Sequence, residues 1–159
     1  MGAVGEQAPV VNVAPPIPKM APTTPGATSS TSRQLALNAA MKYLGIPYVF
    51  GGGSGTGPST SSLGKGVGFD CSGLVQAALN AAGIASNHFS YAQLGMGQKT
   101  PIAQLQPGDL VGMNGGDHIG LYAGNNQIVV ADHTGTNVQL RSIGSNEGAY
   151  GVSLSNLYR

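Results

Sequence analysis

Residues 69–76 read FDCSGLVQ, and Cys71 within them is the only cysteine in a chain of 159 residues. The stretch runs on as CSGLVQAALNAAG (71–83), where Leu74, Val75, Ala78, Leu79 and Ala82 share one side at helical spacing and Gly83 supplies a stop. The spacing predicts a mostly buried helix that begins at the thiol. Asp70 stands where a helix cap belongs, so Cys71 falls in the first turn, facing the positive end of the aligned peptide dipoles. That position favours thiolate over thiol. The same free amides can receive the negative oxygen of a tetrahedral intermediate. A cysteine acyl-transfer centre then lacks only a base.

Upstream, SRQLALNAAMKYLGIP (32–47) predicts a short amphipathic helix with Leu37, Met41 and Leu44 on its apolar face, Ser32 as its cap, and Gly45 and Pro47 as its stop. YVF (48–50) can form a brief extended piece. From Gly51 to Gly68 the chain holds eight glycines and no periodicity, and a loop of that length inside a compact domain is usually functional or mobile. It is not a phosphate cradle. Lys65 follows Gly64, but Ser59 occupies the place of the first P-loop glycine and Gly66 that of the hydroxyl residue.

Downstream, Asn87–Leu94 predicts one or two helical turns. Four β-like runs follow, DLVGM (109–113), HIGLYA (118–123), QIVVAD (127–132) and NVQL (137–140), separated by turn signals. Helices followed by an antiparallel meander define an α+β domain. Residues 1–32 carry six of the ten prolines among Ala, Thr and Ser, and read as a flexible tether ahead of an ordered domain over 33–159.

Composition narrows the function. At 41% hydrophobic residues the chain can pack one core, while 8% charged residues and a net charge of +1 offer no basic field for nucleic acid or anionic lipid. No eighteen apolar residues run together, and the opening MGAVGEQAPVVNVAPP (1–16) lacks the pattern of a secretory signal. One cysteine allows neither an intrachain disulfide nor a CxxC zinc motif. The expectation is a monomer with no cofactor, no nucleic-acid partner and no membrane partner. For the base there are three histidines, His88, His118 and His133. His118 opens a strand-like run after the polar turn NGGD (114–117), a position from which an imidazole can face a helix N-terminus.

The ordered set FDCSGLV (69–75), QPGDLV (106–111) and DHIGLYAGNNQIV (117–129), flanked by PYVFGGG (47–53), GPS (57–59) and HFSYAQ (88–93), resembles the NlpC family of bacterial cell-wall cysteine peptidases, especially its mycobacterial branch. The resemblance covers residues 33–159. It implies a papain-like fold, with N-terminal helices packed on a small antiparallel sheet. It implies Cys71 as nucleophile, His118 as base, and Tyr48, Asp70 and Ser72 as substrate-cleft residues, with Tyr48 near the oxyanion. The implied substrate is the stem peptide of peptidoglycan, cut between D-glutamate and meso-diaminopimelate, outside the cell or at the wall. PGDL (107–110) reads as structural, its Asp109 tying down loop amides.

One place departs from the pattern. Family members usually carry a polar residue twelve positions after the catalytic histidine to hold the second ring nitrogen, and here that place is Val130. On a strand Asp132 points the same way as Val130, about 6.5 to 7 Å further along, and a bulge could bring its carboxylate to His118. Three other readings compete. One is a catalytically weak or inactive wall-binding module of the same fold, another an amidase of the CHAP type. The third is a metal hydrolase using Asp117–His118 and Asp132–His133. The composition suits both a phage lysin and a secreted bacterial enzyme.

Overall fold

The structure, a computed structural model, describes residues 28–159. Most of the proline-rich stretch, residues 1–27, lies outside the described residues. Helix α1 spans Thr28–Lys42, four residues upstream of the expected Ser32 start, and α2 spans Cys71–Ala81. A short α3 (Ser90–Leu94) leads to strands β1 (Gln98–Thr100), β2 (Leu110–Met113), β3 (His118–Gly124), β4 (Gln127–Val130), β5 (Gln139–Ser142) and β6 (Tyr150–Ser153). They form one six-stranded sheet in the order β1-β6-β2-β3-β4-β5, with every pairing antiparallel. The four runs read from sequence form the meander β2 to β5. The β1 and β6 strands were not read, because QKT has no apolar residue and YGVS is too short to show a period.

Both faces of the sheet are covered, which explains why LVGM is buried throughout rather than alternating. On the inner face Leu110, Ile119, Leu121, Val129 and Val152 pack against Leu74, Val75, Ala78 and Leu79 of α2 and Ala36 and Ala40 of α1. On the outer face Val111, Met113, Tyr122, Ile128 and Val130 form a smaller core under Leu105, Ile102, Ile143 and Ala149. The face expected of α1 is only partly right. Leu37 and Met41 touch the core, but Leu44 is 40% exposed while Ala36 and Ala40 are fully buried. Alanines on both helices let the backbones approach closely, and larger residues are left at the margin.

Asp109 joins three segments. Its side chain, 1% exposed, accepts from the Gln106 amide at 2.8 Å, the Leu154 amide at 2.8 Å and Arg33 Nη1 at 2.9 Å. The Arg33 guanidinium also lies over the Tyr158 ring and donates to Ser155. Helix α1 and the segment after β6 are thus pinned to the β2 entry by one buried carboxylate. Asp109→Ala leaves a buried guanidinium without its counter-charge and is expected to destabilise the fold by about 3 to 5 kcal/mol, measurable by denaturant unfolding. A loss under 1 kcal/mol would show that the pair is not buried in solution.

Candidate active site

The loop before α2 positions the thiol. Val49 donates to the Phe69 carbonyl at 2.9 Å and Asp70 donates its amide to the Gly52 carbonyl at 3.0 Å, so the glycine-rich segment is laced to the helix entry. Asp70 is the N-cap, with extended backbone, and its Oδ1 accepts from the Gly73 amide at 2.8 Å. Gly73 has to be glycine, because a Cβ there would collide with the Gly52 carbonyl oxygen. Cys71 follows the cap as the first helical residue, half-buried and free.

His118 is the first residue of β3, paired opposite Met113. Its Nε2 lies 2.8 Å from Asp132 Oδ1, and the Cys71 thiol is near enough to act on the charge of the ring. With Nε2 occupied by the carboxylate, Nδ1 is the atom left for the thiol. Sheet register explains how Asp132 arrives there. The β3–β4 ladder pairs Leu121 with Val129 and Tyr122 with Ile128, and the chain leaving β4 at Val130 continues in that direction, towards His118, to place Asp132 beside it. Val130, the expected place for a polar group, is fully buried in the outer-face core instead.

Burial alone would push the His118 ring down, but the hydrogen bond to Asp132 and then the nearby Cys71 thiol outweigh it and hold its pKa up at about 9. Burial would likewise raise the Asp132 carboxyl. Hydrogen bonds first from Arg141 and then from His118 reverse this and hold it far below the usual carboxylate range. Asp132 therefore stays anionic and does not take the proton. Tyr48 is raised to about 12 by burial and then by the charges of Cys71, Asp70 and Asp117, so its hydroxyl remains a donor.

Around the cap, Asp70 Oδ1 also meets His88 Nε2 at 2.6 Å and the Ser72 hydroxyl at 3.4 Å. Gln93, fully buried, donates to the carbonyls of Ser72 at 2.9 Å and Asn87 at 2.8 Å. The structure thus gathers Tyr48, Asp70, Cys71, Ser72, His118 and Asp132 at one end of the sheet. Sequence reasoning did not place His88, Gln93, Gln139, Arg141 or Glu147 there. For His88 and Gln93 the signal was present in HFSYAQ; for Arg141 the expected strand stopped one residue short. His133 turns its Nδ1 to the Thr134 carbonyl, and Asp132 already neutralises a guanidinium, so the two Asp–His pairs do not converge as a metal-binding set. Among the described residues no group of three or more His, Cys, Asp or Glu is arranged to hold a metal.

A thiol at a helix N-terminus, facing a carboxylate-held imidazole on an antiparallel sheet, defines the papain-like α+β class. The chain belongs to the NlpC/P60 family, which matches residues 45–150. It is 37% identical over 114 residues to the peptidoglycan endopeptidase RipA of Mycolicibacterium smegmatis, covering 69% of this chain and 23% of that protein. The chain thus spans less than a quarter of that relative's length. Among solved structures, the peptidoglycan hydrolase RipB of Mycobacterium tuberculosis superposes with a TM-score of 0.74 at 32% identity, covering 87% of this chain and 74% of that one. RipD of the same organism, described as a non-catalytic NlpC/p60 domain protein adapted to peptidoglycan binding, superposes with a TM-score of 0.68 at 29% identity. That match covers 77% of this chain and 97% of the chain in that solved structure.

Proposed function

We propose that this chain is a peptidoglycan hydrolase, a cysteine endopeptidase that cuts stem peptides between D-glutamate and meso-diaminopimelate, outside the cell or at the wall. The observation that carries the reading is His118 set between the Cys71 thiol, which acts on its charge, and the Asp132 carboxylate, which holds its Nε2 at 2.8 Å. Relatives named as peptidoglycan endopeptidases support the substrate class.

The Cys71 thiolate attacks the scissile carbonyl carbon, and the carbonyl π electrons move onto oxygen. Amides of the α2 N-terminus and the Tyr48 hydroxyl are the donors available to that oxyanion. Collapse expels the amine, which takes its proton from the His118 imidazolium and leaves a thioester on Cys71. His118, now neutral, removes a proton from water, which attacks the thioester and releases the acid. Asp132 keeps the ring oriented throughout and steadies its charged form. Asp70 and Ser72 line the cleft, where the Asp70 carboxylate can hold a substrate amine.

A wall-binding module is the second reading, favoured by the likeness to RipD. Digestion of purified cell walls separates the two. The expected result is release of fragments whose masses report cleavage on the diaminopimelate amine, abolished by iodoacetamide and unaffected by a chelator. Wall binding without release, with or without alkylation, would leave only the binding module.

A further inference from the structure

Behind Asp132 lies a set of contacts that the proposed reaction does not itself use. Its carboxylate has four acceptor positions, and all are filled. Oδ1 takes His118 Nε2 at 2.8 Å and Arg141 Nη2 at 2.8 Å; Oδ2 takes Arg141 Nε at 2.7 Å and Gln139 Nε2 at 3.0 Å. Arg141 is equally saturated. Besides its two bonds to Asp132 it donates to both Glu147 oxygens, at 2.9 and 2.7 Å, and to the Ser142 carbonyl at 3.0 Å. Glu147 is anchored in turn. Its carboxylate accepts from the Gly144 amide, and its carbonyl accepts from the Asn114 amide at 2.8 Å, four residues before His118.

We propose that Arg141, braced by Glu147, is a positioning residue for the Cys71–His118 pair, fixing the Asp132 carboxylate so that Oδ1 stays on the imidazole. The proposal rests on the reading of Cys71 and His118 as the reacting pair. Asp132 needs such a brace because it lies two residues beyond the end of β4, where strand pairing no longer holds it. Arg141 stands on β5 opposite Ile128, and Gln139 opposite Val130, so both long side chains reach diagonally along the sheet to the same carboxylate. A planar fork can grip both oxygens at once; an ammonium cannot.

Charge and position make opposite forecasts, which gives the test its edge. The groups acting on His118 are Cys71 from α2 and Asp132 after β4, with Arg141 and Glu147 behind Asp132; Asp117 precedes His118 in the chain. The positive charge of Arg141 by itself weakens the pull of Asp132 on the imidazolium. Were charge its only role, removing it would raise the midpoint at which His118 titrates. If it positions Asp132, removing it lowers that midpoint.

The experiment follows the His118 ring by NMR across pH in wild type, Arg141→Met, Arg141→Lys and Glu147→Gln, alongside the rate of peptide release. The expected result is a fall of about one pH unit or more in Arg141→Met, in line with the loss of a neighbouring opposite charge. Arg141→Lys should fail to restore the midpoint, and Glu147→Gln should show a smaller fall. Turnover should drop about 10- to 100-fold with little change in KM, the scale seen when a supporting partner is lost. An unchanged or raised midpoint, or full recovery with lysine, overturns the proposal. Glu147→Gln sits at the more exposed end of the network, so it keeps the question answerable if Arg141→Met fails to fold. Cys71→Ser is the separate control for the underlying pair: it should lower the His118 midpoint, and if it does not, the pairing fails independently of Arg141.

Discussion

Replacing Cys71 with alanine is expected to end peptide release from cell walls, with turnover falling by about 10⁶-fold, the scale on which a single nucleophile or its base carries covalent catalysis. No other thiol exists to substitute, since the chain has one cysteine. The fold should survive, because Cys71 is only half-buried and the α2 cap is made by Asp70 rather than by sulfur. The variant should therefore melt near the wild-type temperature and still bind walls. The measurement is mass analysis of soluble muropeptides over time. Release at the parental rate would remove the enzymatic reading altogether.

Asp132→Ala carries the second-largest expected effect, a loss of up to about 10⁴-fold in turnover, as for removal of the orienting acid in a triad. The pH dependence gives a sharper reading than the rate. In the proposed mechanism His118 acts in its imidazolium form, which is held up to about pH 9 because Asp132 and Cys71 outweigh the burial of the ring. Removing the carboxylate removes a stabiliser of the charged form, so the ring's pKa falls and the alkaline limb of the activity profile moves to lower pH by about 1 to 3 units. A profile that stays in place, with turnover unchanged, would take Asp132 out of the site. A profile that moves to higher pH would contradict the sign of the interaction.

Much of the site was legible from residue order. A cap, a thiol and a buried helical face occur in sequence within a dozen residues, and their geometry is local: Asp70 to the Gly73 amide spans three residues. The meander from β2 to β5 was legible for the same reason, since turns and apolar runs alternate along the chain. Arg141 was not. Its role depends on a diagonal reach across two strands, and no spacing along one strand encodes it. His88 was visible in the HFSYAQ motif, but its partner was not until α2 and the 87–89 segment met at Asp70.

The instructive case is the third polar group. Position 130 is apolar, and read along the chain it suggested a missing orienter. Val130 is a core residue of the outer face, and Asp132, two residues beyond the end of β4, is the group that reaches His118. Side-chain alternation on QIVVAD already put both residues on one face; it could not say which of them would lie beside the imidazole. From sequence alone came the α+β class and a thiol at a helix start, consequences of short-range periodicity and capping, while the reading of Cys71 as nucleophile and His118 as base came from the family resemblance. Only the tertiary structure decided the pairing of β3 with β4, and with it the identity of the carboxylate and of the guanidinium behind it. Register between strands is set by how two cores fill on opposite faces of a sheet, which no single segment contains.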